Sequence, residues 1–385
     1  HAKIDPGVSN GDMLNDAEYN RCRALEDKTG VKFVETNKGV DDEVIAEAQK
    51  AILAGDDTYD VIFVPARNLN TLSSEGYLNN LLDLDGLKLD REWWLSSYND
   101  PSVVNGKLWS AASYAQLMII DSVWSVYYNE TIGEKLGLDL PYQLVRDGKW
   151  TKDKAAEFCK ATGADLNGDT VMDVKTDRFG YVTNHATEHL NAFGLLMSNI
   201  ENGKPVINLA SEKVVEAAEW SRKFYFETDG VAPVSKTTLS HEIPLDMFLE
   251  GRALLYPDFL GRLDYLRDMT DDFGIIPHFK WDDAQDKYYT SYADSLTQLC
   301  VPITSDVNKD AIGATLEAMA IDGRFNVVPA FYESAVKSKY VRDIESIEMI
   351  EMVRGNVMQS FVDVYGGCLD MLHNMLGLYA MKKLG

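Results

Sequence analysis

The feature that most restricts this chain is an alternation that recurs along it: an amphipathic helical stretch, a break, then a short run that is apolar throughout. Val44, Ile45, Ala48, Ile52 and Leu53 fall on one helical face, with acidic residues covering the other. Gly55-Asp-Asp57 breaks that helix, and Tyr59-Asp-Val-Ile-Phe-Val-Pro65 follows. A short β-branched run without polar alternation predicts a strand buried on both faces, as in a parallel sheet. Upstream, a helix from Ala17 to Asp27 ends at Thr29-Gly30 and gives way to Val31-Lys-Phe-Val-Glu35, read as another strand. Leu117 to Ile120 and Ser125 to Tyr128 also read as strands. Thr151 is placed to cap a helix through Cys159, and Val214 to Phe226 predicts a helix with Val215, Ala218 and Phe224 inward. Met247 to Glu250 ends another at Gly251, before the strand Ala253-Leu-Leu-Tyr256. Phe273 to Pro277 and Gln298 to Pro302 are further short strands. From Lys309 the chain reads as mostly helical, through Ile321, then Val327 to Lys337 and Ser346 to Met358. Helices alternating with short buried strands give an α/β fold. With no repeat and no linker-like stretch, two domains have to be threaded through each other.

Composition narrows the partners. Lys plus Arg total 37 and Asp plus Glu 61, a formal charge of −24. A nucleic-acid backbone or an anionic bilayer would be repelled by such a surface. The hydrophobic fraction of 45% excludes a disordered acidic chain, and 385 residues hold roughly two to three domains. No apolar run approaches the roughly 18 residues needed to span a bilayer. Cys22, Cys159, Cys300 and Cys368 have no zinc spacing and read as buried thiols first, disulfides second. The start at His1 carries neither a basic nor an apolar leader segment, so the chain is either cytosolic or already processed.

An ordered series of stretches resembles a known family. It runs Gly55 to Pro65, Glu75-Gly-Tyr-Leu78 before Leu81-Leu-Asp83, Val104-Asn-Gly-Lys-Leu-Trp109, Tyr127-Tyr-Asn129 and Asp147-Gly-Lys-Trp-Thr151. It continues with Phe248-Leu-Glu-Gly-Arg-Ala253, Leu266-Arg-Asp-Met269, Phe273 to Pro277, and Pro329-Ala-Phe-Tyr-Glu333 through Lys339 to Asp343. From about Ala17 to about Arg354 the chain is similar to extracellular solute-binding proteins, family 1 type, of ABC importers, and looks most like a branch found in gut Firmicutes. The resemblance implies a type II periplasmic-binding-protein fold, two α/β lobes with a hinge. Crossovers are expected near Ala112 to Gln116, Tyr256 to Phe259 and Gly323 to Asn326. It assigns 1–112 and 257–323 to one lobe, and 113–256 and 324–385 to the other. It further implies a non-enzymatic monomer that captures a small solute, usually a sugar, and delivers it to a membrane permease. Family members usually carry a lipid anchor, so an extracellular lipoprotein is expected. Their opening strand contacts ligand, and here only Ala2-Lys-Ile-Asp5 could stand for it.

Sugars need flat aromatic faces and planar polar groups. By matching order, ligand-binding candidates are Arg67 and Asn68 after the first buried run, then Ser113 and Tyr114 in the first crossover. Asn184 and His185 follow Tyr181-Val182; Tyr256, Asp258 and Phe259 occupy the second crossover; Tyr292 and Asp294 come last. Each has a plainer reading as a solvated loop residue or a packing aromatic. Trp93, Trp94 and Trp150 read as structural.

Two local patterns invite metal chemistry. Asp165, Asn167, Asp169 and Asp173 stand at positions 1, 3, 5 and 9 of a calcium-type loop, with the Val171 carbonyl at 7. Thr170 replaces the turn glycine, and the closing carboxylate would be Asp177, one residue late. The alternatives are a structural calcium ion and an Asx-rich turn. His185-Ala-Thr-Glu188-His189 resembles the inverted zincin order, a weak match in five residues without an evident third ligand. No nucleophile elbow, P-loop or dinucleotide motif occurs. The enzyme reading is therefore a secreted glycoside hydrolase with paired carboxylates, second to the binding protein.

Overall fold

The computed structural model describes residues 4–39, 42–185, 188–233, 242–337 and 344–366. Local chemistry sets the element ends. The Leu14 and Asn15 amides donate to the Asp12 carboxylate to start α1 (Met13–Thr29), and Gly30 ends it in the left-handed region, φ 74°. α2 (Asp42–Leu53) buries Ile45, Ala48 and Ile52 against β1 (Ile62–Pro65), while Leu53 is exposed. β2 (Trp124–Asn129) is buried throughout. α3 (Pro141–Arg146) and α4 (Lys152–Thr162, capped by Thr151) follow. Then come β3 (Phe179–Tyr181), β4 (Ser198–Glu201), β5 (Lys204–Ile207) and α5 (Glu212–Glu227). α6 (Glu242–Leu249) leads to β6 (Ala253–Phe259), β7 (Phe273–Ile276) and β8 (Thr297–Cys300). α7 (Lys309–Asp322), α8 (Val328–Lys337), α9 (Ile344–Gly355) and the short α10 (Phe361–Val364) complete the described chain.

Strand pairing sorts these elements into two bodies. β1 pairs antiparallel with β8. β3, β6, β2 and β7 lie in that order in a second sheet, parallel only between β3 and β6. The smaller body carries α1, α2, α7 and α8; the larger carries α3, α4, α6 and α9 against its sheet. The chain first crosses between the Ala111–Leu299 hydrogen-bonded pair and the start of β2. It returns along 290–297, where the Trp124 amide donates to the Ser291 carbonyl at 3.1 Å and the Ala293 amide to Ser122 at 2.8 Å.

Several expectations are corrected by this pairing. β1 is antiparallel, because burial on both faces does not fix a partner's direction. Leu117 to Ile120 is not a strand; Met118–Asp121 is a helical turn. Val31 to Glu35 pairs with no strand among the described residues; the Phe33 amide donates to the Glu26 carboxylate at 3.0 Å instead. Val215 is exposed, and Val214 takes the inner place. Tyr256 to Phe259 is not a crossover, since its register with β2 runs to Trp124↔Phe259. Gly323 to Asn326 lies in a π-turn, Gly323–Val327, packed on α1, α7 and α8. The expected boundaries shift accordingly. β7 pairs with β2, so 273–276 belongs with the body containing 113–256, and α8 packs on α1, with the body containing 1–112.

The tryptophans read as structural are anchored by polar contacts. Trp93 and Trp94 donate their indole N–H groups to the two carboxylate oxygens of Glu317, at 2.8 and 2.7 Å. The Lys88 amide donates to the second oxygen at 3.0 Å. Three donors on one largely buried carboxylate join α7 to the 88–94 segment. Trp150 is fully buried and donates to the Pro277 carbonyl at 3.0 Å.

Candidate ligand-binding site

Where β6 ends beside the start of β2, register sets Phe259 against Trp124. Their rings meet edge to face at 5.1 Å, and His185, in the loop after β3, meets Trp124 on an edge at 4.8 Å. The Arg262 guanidinium lies 5.1 Å from the centre of Phe259 and 5.6 Å from that of Tyr265. Arg262 is held from below, its Nε donating to Asp258 at 3.0 Å. The same carboxylate accepts from the Phe259 amide at 2.8 Å and from the Tyr256 hydroxyl. Burial pushes the Asp258 carboxyl up, opposed by the charge of Arg262. The outcome is a row, His185–Trp124–Phe259–Arg262, of flat rings ending in a planar donor. Trp124 is buried within the row, and the half-buried His185, Phe259 and Arg262 offer the ring faces and planar donor that suit the C–H faces and hydroxyls of a sugar.

Arg67 and Asp294 come together on the other body. Arg67 occupies the single turn after β1; its amide donates to the Asp294 carbonyl at 3.4 Å and its Nη1 lies 3.6 Å from the carboxylate. The return crossing joins this pair to the aromatic row, because Thr290, Ser291 and Ala293 bond to residues 122–124 and Asp294 follows. α10 packs against the turn carrying Arg67. Asn68 donates to Asp42 at 3.1 Å.

The remaining candidates lie elsewhere. Ser113 is fully buried in a bridge with Trp94, its hydroxyl accepting from the Ala115 amide at 3.1 Å. Tyr256 is fully buried and stacked on Tyr127 at 5.8 Å; Tyr292 is buried edge-on to Tyr98 at 5.7 Å. These three pack in the core instead of projecting from strand ends, which corrects the placement the sequence suggested. Asn184 is buried beside His185 in sequence. Tyr114 is half-buried between two arginines, Arg324 and Arg354. Trp124 and Arg262 were missed by sequence reading. The available signals were a tryptophan heading an apolar strand and an arginine one turn past Phe259.

The metal patterns resolve differently. His189 is buried, its Nε2 paired with the Tyr181 hydroxyl at 2.9 Å and its Nδ1 with that of Tyr225 at 3.2 Å. His185 faces Trp124, so the two histidines do not converge. In the 165–177 loop, Asp165 accepts from the Gly168 and Thr170 amides at 2.7 and 2.8 Å, Asn167 from Asp169 at 2.9 Å, and Asp169 from Val171 at 2.8 Å. Asp173 accepts from Lys175 at 2.8 Å, and Asp177 from Leu166 and Asp173 at 2.9 and 2.7 Å. Thr170 adopts φ 67°, the turn that glycine usually supplies. Among the described residues, no three or more His, Cys, Asp or Glu are arranged to hold a metal ion.

The sequence profile described as bacterial extracellular solute-binding protein matches residues 24–301. No curated protein matches the chain in sequence. Similar solved structures include UspC of M. tuberculosis, with TM-score 0.64 and 15% identity over 98% of this chain and 94% of that one. A maltose/maltodextrin-binding domain from Bdellovibrio bacteriovorus bound to maltotriose gives TM-score 0.59 and 14% identity, covering 97% and 92%. An ABC transporter solute-binding protein from Thermotoga Lettingae bound with alpha-D-tagatose gives 0.59 and 15%, covering 96% and 92%. At such identities the likeness establishes the fold, the two-lobed type II periplasmic-binding-protein architecture.

Proposed function

We propose, for this chain that belongs to the family of bacterial extracellular solute-binding proteins, capture of a mono- or oligosaccharide between its lobes and delivery to the permease of an ABC importer. The family is one of binding proteins, not enzymes, and the glycoside hydrolase alternative is set aside on that ground. The observation that carries the sugar reading is the row His185–Trp124–Phe259–Arg262, joined through the return crossing to Arg67 and Asp294. Rings supply stacking faces. Each of the two arginines is paired with a carboxylate, so the site offers oriented donors with little net charge, as a neutral polyol requires. The sugars named for similar structures, maltotriose and alpha-D-tagatose, support the class without choosing a member. Among the described residues no helix is long and apolar enough to cross a membrane; tethering by an N-terminal lipid is part of the proposal, as is action as a monomer.

The test is a thermal-shift and product screen with glucose, maltotriose, maltotetraose and tagatose, with choline and glycerophosphocholine as non-sugar arms. At a hundredfold excess over Kd, a true ligand stabilises the folded state by about 2.7 kcal/mol. A sugar that raises Tm and is recovered intact supports the proposal. Released products, or a response to the non-sugar arms alone, would overturn it.

A structural calcium ion in the 165–177 loop is a separate proposal. It is supported by the left-handed turn at Thr170 and by the regular order of amide donors, which leave carboxylate lone pairs unused. The side chains would have to draw together around the ion. Calcium is expected to raise Tm over EDTA-treated protein, and Asp169→Ala to abolish that rise. An identical Tm in calcium and EDTA removes the proposal.

A further inference from the structure

We infer that Arg354 is a clasp between the two lobes, setting the angle at which they rest before any solute arrives. The inference rests on the two-lobed binding-protein reading and is independent of the cargo. Arg354 sits in the last turn of α9, a helix packed on β7 and β2 of the larger body. Its guanidinium leaves that body. One Nη group donates to the Tyr332 hydroxyl, and the other donates to the Tyr114 hydroxyl at 3.3 Å. Both acceptors belong to the smaller body. Tyr332 is on α8, which packs on α1 and the π-turn. Tyr114 lies in the first crossing and is fixed to the smaller body twice. Its amide donates to the Trp93 carbonyl at 3.2 Å. Its own carbonyl is approached by Gly323 so closely that a Cβ there would sit 1.7 Å from the oxygen.

The charge of Arg354 is met by rings and hydroxyls. The guanidinium lies 5.2 Å from the centre of Tyr332 and 5.7 Å from that of Tyr114. Arg324, presented by the π-turn, lies 5.5 Å from the same Tyr114 ring and has Glu92 at 3.6 Å. Among the described residues no carboxylate forms an ion pair with Arg354. The segment after α9 is bonded to the return crossing: the Thr290 amide donates to Asn356 at 3.2 Å and the Met358 amide to Thr290 at 2.7 Å. The clasp therefore stands beside a hinge strand, and a rotation that moves α9 relative to α8 has to break it. Interruptions of this π type gather at functional positions. Hydrogen bonds from a charged donor, with the ring contacts, correspond to about a tenfold bias in the equilibrium between lobe arrangements.

The experiment is small-angle X-ray scattering on ligand-free protein, comparing wild type, Arg354→Gln, Tyr332→Phe and Arg146→Gln. Arg146 joins α3 to Glu345 and Glu348 of α9, an exposed ion-pair contact wholly inside the larger body. Wild type is expected to fit the lobe arrangement described here. Arg354→Gln is expected to depart from it by that tenfold change in population, and Tyr332→Phe, which removes one of the two hydrogen bonds and keeps both rings, by about threefold, with far-UV circular dichroism unchanged. Arg146→Gln is expected to follow wild type. If Arg354→Gln unfolds, Tyr332→Phe decides alone. Curves for folded clasp variants that superimpose on wild type, or an equal departure in Arg146→Gln, overturn the clasp. Because no sugar is added, failure of the cargo proposal leaves this result readable.

Discussion

Two aromatic clusters in the larger lobe are built from the same residue types and end differently. Tyr181 belongs to one and His185, in the loop that follows its strand, to the other. Around His189, the rings of Tyr181, Phe193, Trp220, Phe224, Tyr225 and Phe279 close on every side within 6 Å. Both imidazole nitrogens are engaged by tyrosines, and burial holds the ring neutral, well below the ordinary histidine range. Around Trp124, itself buried, the rings form a line ending in a charged guanidinium, with His185 and Phe259 only half-buried. Aromatic content does not separate a core from a stacking surface. What separates them is whether helices cover the rings: α5 closes the first cluster, whereas the second lies at a sheet end beside a crossing.

Substitution should expose that difference. Phe224→Ala removes a ring that touches five others in the closed cluster, and should cost about 3–5 kcal/mol of stability, measured by denaturant unfolding. A smaller loss would show that the cluster tolerates a cavity. Trp124→Ala should lower sugar affinity by about 3 kcal/mol, on the order of a hundredfold, and, because the indole is buried, should also lower Tm, so binding is measured well below the variant's own transition. Titration calorimetry checks it, and unchanged affinity would move the site away from the row.

Acidity gives the third and smallest effect. His278 lies 6.0 Å from His189, centre to centre, and burial pushes it down to about 3. Both histidines are neutral when folded and take up protons on unfolding, so their contribution is present above pH 6.5 and is lost as pH falls toward 3. Between pH 7 and 5 the loss for His278 is about 2 kcal/mol. The smaller lobe runs the opposite way. Burial pushes Glu18 of α1 up to about 7. Its folded form holds the proton more tightly than the unfolded one, so its contribution is present below about pH 4.5 and is lost as pH rises toward 7. Amide exchange, corrected for intrinsic rates, should therefore quicken around β3 and α5 at pH 5 and slow in α1. A uniform response in both lobes would contradict the assignment.

Much of the scaffold was legible because it depends on neighbours in sequence. Thr151 caps its helix, Gly30 and Gly251 end theirs, and the runs at Ile62, Ala253, Phe273 and Gln298 form strands. Runs whose fate is set by tertiary pairing were not. Leu117 to Ile120 is as apolar as β2, yet it coils because the crossing offers it no partner strand. Proximity among the candidate residues has the same origin. Arg67 lies beside Asp294 across neighbouring strand ends, and Trp124 touches both His185 and Phe259. The Tyr256 ring is not among them, because β6 stays paired for longer than motif order implied, which turns its ring into the sheet's packed face. Trp124 and Arg262 needed the register of β2 on β6, which one sequence does not contain.

The Glu317 carboxylate has a consequence for observation as well as stability. By holding the indoles of Trp93 and Trp94 in fixed polar surroundings, it makes two of the seven tryptophans optically constant. Trp150, sealed and bonded to Pro277, is a third. Trp124 lies beside the first crossing, between the half-buried rings of His185 and Phe259. The emission of the unlabelled protein therefore holds a steady component from Trp93, Trp94 and Trp150, against which a change at Trp124, or at the partly buried Trp109, Trp220 and Trp281, is read as a solute arrives.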